Sequence, residues 1–350
     1  MKIFSALIGA VAANWRVLAL FLASTFLFLL FLFPFSDLSD LVTSAVARAT
    51  GNQVYIQAES LDLHLVPQPA VSASNLSVET SLPAIEAKWA KVTPGIFSTL
   101  LNIGTFMKAA NGDPEASRAA MSKLSLSVDA EGVWGGDVGA SLRPGKRSEQ
   151  GKDMSRLSLA VEKIDLSQVQ RWAELPLRIQ GQASLDTDMQ MAFDFSEQPE
   201  GDFSLKVNKF ALPASTVSIP MGEGASFPLN IPSLTLANVI LKGRLVGGNL
   251  VIEEGVFGKA GEALSGRIKG QMGLRLQPMG NSVTPIFSAY NLTVDLNTSS
   301  EIQKELGFAF LPLDSAKTPT GAGGARYLFR ATGQGVGMAF VPQITRVETF

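Results

Sequence analysis

From Leu175 to Phe195, apolar and polar residues take turns. Leu175, Leu177, Ile179, Ala183, Leu185, Met189, Met191, Phe193 and Phe195 share one parity; Arg178, Gln180, Gln182, Ser184, Asp186, Asp188, Gln190 and Asp194 share the other. Successive side chains of a strand point to opposite faces, so this period of two predicts strands with one greasy face and one wet face. The pattern recurs at Leu124, Leu126 and Val128, at Leu157, Leu159 and Val161, at Ile268, Met272, Leu274 and Leu276, and at Tyr290, Leu292, Val294 and Leu296. Alternating strands, as opposed to continuously apolar ones, belong to antiparallel sheet with one face covered and one solvated. The expected fold is therefore mainly β, an elongated, curved antiparallel sheet with one or two covering helices.

Turn chemistry supports this. Gly135-Gly136-Asp137 and Gly247-Gly248-Asn249 separate pairs of apolar runs, as hairpin turns needing positive φ would. Arg143–Asp153, Ser196–Asp202 and Thr318–Arg326 are polar and rich in Gly and Pro, and they mark longer loops. Ile96, Phe97, Leu100, Leu101 and Phe106 follow helical spacing after Thr93-Pro94, which predicts a helix over Pro94–Met107 lying on one end of the apolar face. SLSVDAEGVWGGDVGASLRP at 125–144 and SGRIKGQMGLRLQP at 265–278 share a Leu-x-Pro ending. They read as a repeated strand-turn-strand unit or as ordinary β grammar.

A second feature splits the chain. No charge lies between Arg16 and Asp37, and Val17–Phe33 is almost wholly Leu, Phe and Ala. At about 1.5 Å rise per residue, such a helix nearly spans a bilayer core of roughly 30 Å. Lys2 and Arg16 precede the run and Asp37 and Asp40 follow it, so the remainder is expected to be exported. Trp15 and Phe35 flank it at headgroup level, and Pro34 after Phe33 stops the helix. The competing reading is a signal peptide cleaved near Ala45-Val46-Ala47, though the run is longer than an ordinary h-region. Leu38, Leu41, Val42, Ala45 and Ala49 then form an amphipathic helix stopped by Gly51, lying on the membrane or packing on the first strands.

Several chemistries are excluded or unsupported. With a net charge of -2 there is no electrostatic footprint for nucleic acid. Absence of cysteine removes disulfides, thiolate nucleophiles and zinc–thiolate sites. The single histidine, His64, lies beside Asp62 on the polar parity of LDLHLVP, with no nucleophile or metal partner indicated. GAGGA at 321–325 and GQGVG at 333–337 complete no phosphate-binding motif, so no nucleotide or other cofactor is expected. Asp186, Asp188 and Asp194 fit a solvated strand face better than a cation site. No catalytic residue and no metal ligand is assigned, and the chain is read as a non-enzyme.

The apolar parity is the candidate site. Leu177, Ile179, Leu185, Met189, Met191 and Phe193, with Met272, Leu274 and Leu276, line either a sealed core or a groove for acyl chains or another protein's apolar segment. An ordinary core is the plainer reading; the physical argument for a groove is that one or two helices are too few to hide so much greasy sheet.

FPFSDLSDL, ATGNQVYIQAESLDLHLVPQPAVSASNLSV and KWAKVTPGIFSTLLNIG, in this order, resemble the opening of the type II secretion protein N family, in the long form of delta-proteobacteria and their neighbours. Phe33-Pro34-Phe35, Thr50-Gly51 and Pro67-Gln68-Pro69 stand at the matching steps. Ala70 departs from the expected glycine and Val66 from the frequent aromatic. The similarity continues through Ile164-Asp165-Leu166, Leu177 to Gly181, and Pro232 to Pro278. Many of these elements also resemble AsmA-like proteins, which are anchored, periplasmic, β-rich and linked to lipid traffic. The resemblance implies a bacterial inner-membrane protein with residues 1–16 cytoplasmic, 17–36 spanning and 37–350 periplasmic. Its partners would be other secretion-system proteins, with envelope lipids as the alternative.

Overall fold

The structure, a computed structural model, describes Leu20, Ser24 and residues 55–64, 68–80, 83–95, 98, 101–110, 120, 122–173, 175, 177–192, 195–222, 225–279, 282–334 and 343–350. The expected anchor with Trp15, Arg16, Val17, Phe33 and Phe35, and the amphipathic stretch after it, lie outside the described residues. Among the described residues no helix is long and apolar enough to cross a membrane.

The chain builds one sixteen-stranded sheet in which every pairing is antiparallel. The strands are β1 (Tyr55–Gln57), β2 (Ser60–His64), β3 (Ala70–Glu79), β4 (Ile85–Pro94), β5 (Leu126–Val133), β6 (Gly136–Pro144), β7 (Ser155–Asp165), β8 (Gln180–Met191) and β9 (Glu200–Leu212). There follow β10 (Ser215–Gly222), β11 (Ala225–Ile231), β12 (Leu234–Val246), β13 (Asn249–Phe257), β14 (Leu264–Met279), β15 (Ser282–Thr298), β16 (Lys317–Pro319), β17 (Ala325–Gly333) and β18 (Gln343–Arg346). Spatial order follows chain order from β3 to β15, except that β10 and β11 pair only with each other and β12 lies against β9. The helices among the described residues include α1 (Ile103–Ala110), α2 (Leu166–Trp172) and α3 (Ser300–Phe310).

The expected glycine turns form where the pattern puts them. Gly247 and Gly248, with φ of 57 and 77°, make the two-residue loop between β12 and β13. Both dihedrals lie where a side chain is strained, so glycine is required. Trp134 and Gly135, at φ 46 and 79°, do the same between β5 and β6. Close approach fixes Gly266: a Cβ there would collide with the carbonyl oxygen of Asp295 and the Phe257 ring.

Two expectations are corrected. Pro94 closes β4 and does not open a helix; helical residues follow at Ser98 and Leu101 and from Ile103, and of the described side chains Leu101, Ile103 and Met107 are exposed, while Ile96, Phe97 and Leu100 lie outside the described residues. The Leu175–Phe195 alternation yields a strand only over Gln180–Met191. Its start is displaced because Leu175 N still donates to Gln170 O as the chain leaves α2, and β9 bulges at Lys209 (φ 52°) and Phe210 opposite Gly181 at φ 132°. Of the two readings of the Leu-x-Pro segments, ordinary β grammar holds, since one is the β5–β6 hairpin and the other the single strand β14.

Compact packing is concentrated at the β17 end. Tyr327, wholly buried, stacks on Phe310 of α3 at 5.4 Å, and Ala316, Ala325 and Phe329 complete the cluster. Its hydroxyl donates to Gln303 Oε1 at 3.1 Å, so the buried polar end is satisfied. At the other end of the molecule Trp172 of α2 lies 5.1 Å from Trp134 and donates to Pro83 O at 2.8 Å, fastening the helix over the β5–β6 turn. Asp165 caps that helix by accepting from Ser167 N at 2.9 Å, and the Ser167 hydroxyl first, with this backbone N–H, holds its carboxyl below the usual range against the opposing effect of burial.

A candidate apolar face and a polar hollow

Directly opposed residues of antiparallel neighbours point to the same face, so the registers show what each face carries. One row runs Leu126, Leu142, Leu157, Met189, Gly201, Leu245, Leu250, Met272, Tyr290 across β5 to β15. A second runs Val128, Ala140, Leu159, Thr187, Phe203, Gly243, Ile252, Gly270, Leu292. A third runs Ala130, Val138, Val161, Leu185, Leu205, Leu241, Gly255, Ile268, Val294, Phe329. No charge interrupts these rows. Thr187, their one aliphatic hydroxyl, is buried and donates to Asp202 O at 2.9 Å. With strands about 4.8 Å apart, the carpet from β5 to β15 is on the order of 40 Å long.

Among the described residues the sheet's contacts run mainly between neighbouring strands; α2 touches β7 and β8, and no helix is in comparable contact with β9–β14. Leu157, Leu159, Leu185, Met189, Leu205, Leu250 and Met272 are nevertheless only half-buried, shielded by each other. The alternation is plainest in β14, where Arg267, Lys269, Gln271, Arg275 and Gln277 are exposed and Ile268, Met272, Leu274 and Leu276 are not.

Of the residues singled out from sequence, Leu185, Met189 and Met272 fall in these rows, and Met191, Leu274 and Leu276 continue the same parity. Leu177 and Ile179 are half-buried but precede β8, and Phe193 lies outside the described residues. The sequence did not single out Leu157, Leu205, Leu245 or Leu250 as site residues, because only the register joins them to the others.

The opposite face was also incompletely foreseen. Ser127, Gly139, Ser141, Ser158, Ala160 and Ser204 are short, and they leave a shallow hollow of about 630 Å³ rimmed by Asp129, Asp186, Asp202 and Lys242. Asp188 is paired with Arg156, whose Nε donates to Oδ1 at 2.7 Å and holds the carboxyl below its ordinary range. Asp129, Asp186 and Asp202 make no ion pair among the described residues. Asp194 lies outside them. No group of three potential metal ligands occurs among the described residues.

His64 Nε2 lies 2.8 Å from Ser72 Oγ, and Asp62 sits directly across from Ser72. Ser72 is 3% exposed, so its hydroxyl offers a substrate no approach.

One further polar-face feature was missed from sequence. Asp295 of β15, 4% exposed, accepts from Arg267 Nη2 at 2.9 Å and from Arg326 Nε at 2.8 Å. Burial pushes its carboxyl up, and the hydrogen bonds from Arg326 and Arg267 outweigh this, leaving it below the usual range. The Phe350 ring rests 4.5 Å from both the Arg267 guanidinium and Lys269 Nζ.

In comparisons with protein families, curated proteins and solved structures, nothing matches this chain.

Proposed function

We propose that the chain is a non-enzymatic, membrane-anchored protein of the bacterial periplasm whose open sheet face shelters the acyl chains of envelope lipids. One observation carries this reading: an uncharged carpet of Leu, Val, Met and Phe with no other layer of the described residues over its middle. Soluble monomers seldom leave a contiguous apolar patch of more than a few hundred Å², so a larger one calls for an occupant. An acyl chain suits it because the rows offer no hydrogen-bonding group beyond Thr187 and Tyr290. Resemblance to AsmA-like proteins and the charge-free run at Val17–Phe33 point the same way.

A second reading is an accessory component of the type II secretion apparatus that links inner-membrane and periplasmic parts. It is supported by the sequence resemblance and by the hollow on the polar face, whose unpaired carboxylates suit a cationic partner. Strand addition is a poor route to such a partner. β1 and β2 already occupy the outer edge of β3, β16 and β18 that of β17, and edges this short resist pairing.

Native mass spectrometry of the full chain released from membranes tests the lipid reading. Phospholipid-sized mass increments are expected, and His64→Ala should retain them within about twofold, since an imidazole with no accessible nucleophile contributes little. A lipid-free spectrum would remove the reading.

A further inference from the structure

We infer that the polar face is a docking surface for a second copy of this chain, the acidic end of one copy lying on the basic end of the other. One register row crosses this face, from Asp129 of β5 through Asp186 of β8, Lys242 of β12 and Glu254 of β13 to Lys269 of β14 and Arg330 of β17. Its charges are sorted by sign. Asp186, and Asp202 beside it, make no ion pair among the described residues, and Lys91 stands across from Asp129 without forming one. In the middle Lys242 and Glu254 neutralise each other at 2.8 Å, as Arg244 and Glu253 do at 3.2 Å. At the far end Lys269 and Arg330 have no carboxylate among the described residues, while Arg267 and Arg326 share Asp295.

A face that carries both signs at opposite ends is complementary to itself. A two-fold axis lying between two such faces, parallel to the strands and level with the β12–β13 pair, turns β8 of one copy onto β15 of the other. Both strands lie about 12 Å from that axis at about 4.8 Å per strand, and the rotation leaves the height of each row unchanged. Asp186 of one copy therefore falls on Thr293 of the other, between Lys269 and Arg330, which stand directly across from Thr293 on either side. Side-chain length fits as well. Ser158, Ala160 and Ser204 beside Asp186 are short and leave the hollow of about 630 Å³, whereas the opposing end presents long cations, with the Phe350 ring against Arg267 and Lys269. A foreign cationic partner would account for the carboxylates and leave the basic end without a role. The apolar face plays no part in this contact, so the inference goes beyond the acyl-chain reading and does not depend on it.

Asp186, Lys269 and Arg330 are exposed, so their charges can be reversed without disturbing buried packing. Light scattering by the full chain in non-ionic detergent reads the monomer–dimer equilibrium. A dimer is expected at about 0.05 M salt and a monomer near 1 M, where exposed charges are screened within about 3 Å. Asp186→Lys in one variant, and Lys269→Glu with Arg330→Glu in another, should each weaken the dimer by about tenfold or more, because like charges then meet. Mixed together, the two variants should form a heterodimer within about threefold of wild-type affinity, since each supplies the sign the other lacks. That rescue also shows that neither variant lost its dimer by misfolding. A wild type that is monomeric at low salt would overturn the inference, as would variants that stay dimeric or a mixture that stays monomeric. A monomeric wild type that binds oligolysine would likewise overturn it and mark the hollow as the seat of a foreign cationic partner.

Discussion

Leu185→Asp is expected to abolish lipid retention while leaving the fold in place. Leu185 sits between Val161 and Leu205 in the third apolar row and is half-buried. A carboxylate there keeps access to water, so its cost in stability should stay near 1 kcal/mol, within the ordinary range for point substitutions. An acyl chain laid along the row would instead have to cover a charge, and the substitution should lower lipid occupancy tenfold or more. Val207→Asp is the contrast. Val207 belongs to β9 but is 7% exposed, so an unpaired charge would be trapped and the cost should reach roughly 4 kcal/mol. Ser184→Asp, on the polar parity, should be nearly silent, within about 0.5 kcal/mol. Thermal melting beside lipid quantification separates the three. Equal destabilisation by Leu185→Asp and Val207→Asp would mean that the face is sealed.

The second large effect is expected at Asp295. Asp295→Asn would leave Arg267 and Arg326 facing each other across a buried site. Breaking a buried pair costs about 3–5 kcal/mol, and since the two arginine side chains remain 53% and 44% exposed, about 2 kcal/mol is expected here. The sign of the pH dependence follows from the depressed carboxyl. A group whose folded pKa lies below its unfolded value, about 3.9, stabilises fully above that value and loses its contribution as pH falls through the folded one. The gap in urea midpoint between wild type and Asp295→Asn should therefore be widest at neutral pH and close below about pH 4. A gap that persists unchanged at pH 3 would show that the residue acts through shape and not through its charge.

Much of the sheet was legible because its grammar is local. Strands β5, β7, β14 and β15 announced themselves by alternation, and two glycine turns by the positive φ they supply. Chain order then became spatial order, as in repeat-like architectures where each unit touches its neighbours. Register was not legible. Bulges between Val161 and Ile164, with Lys163 at φ 56°, and between Lys242 and Gly243 shift the pairing, and a one-residue slip would send an apolar set to the other face. That is why Leu157 and Leu250 could not be joined to Met189 and Met272 beforehand. Asp295 reads in sequence as one more polar-parity residue of β15, because its two arginines come from β14 and β17.

The most direct measurement is photocrosslinking in the living cell. A photoreactive amino acid replaces Met189 or Leu250 on the apolar face, and Asp186 or Lys242 on the polar face. If the open face holds acyl chains, phospholipid adducts form at Met189 and Leu250 and are absent at Asp186 and Lys242. Adducts to another protein at Met189 and Leu250, or no adduct from either face, would contradict it.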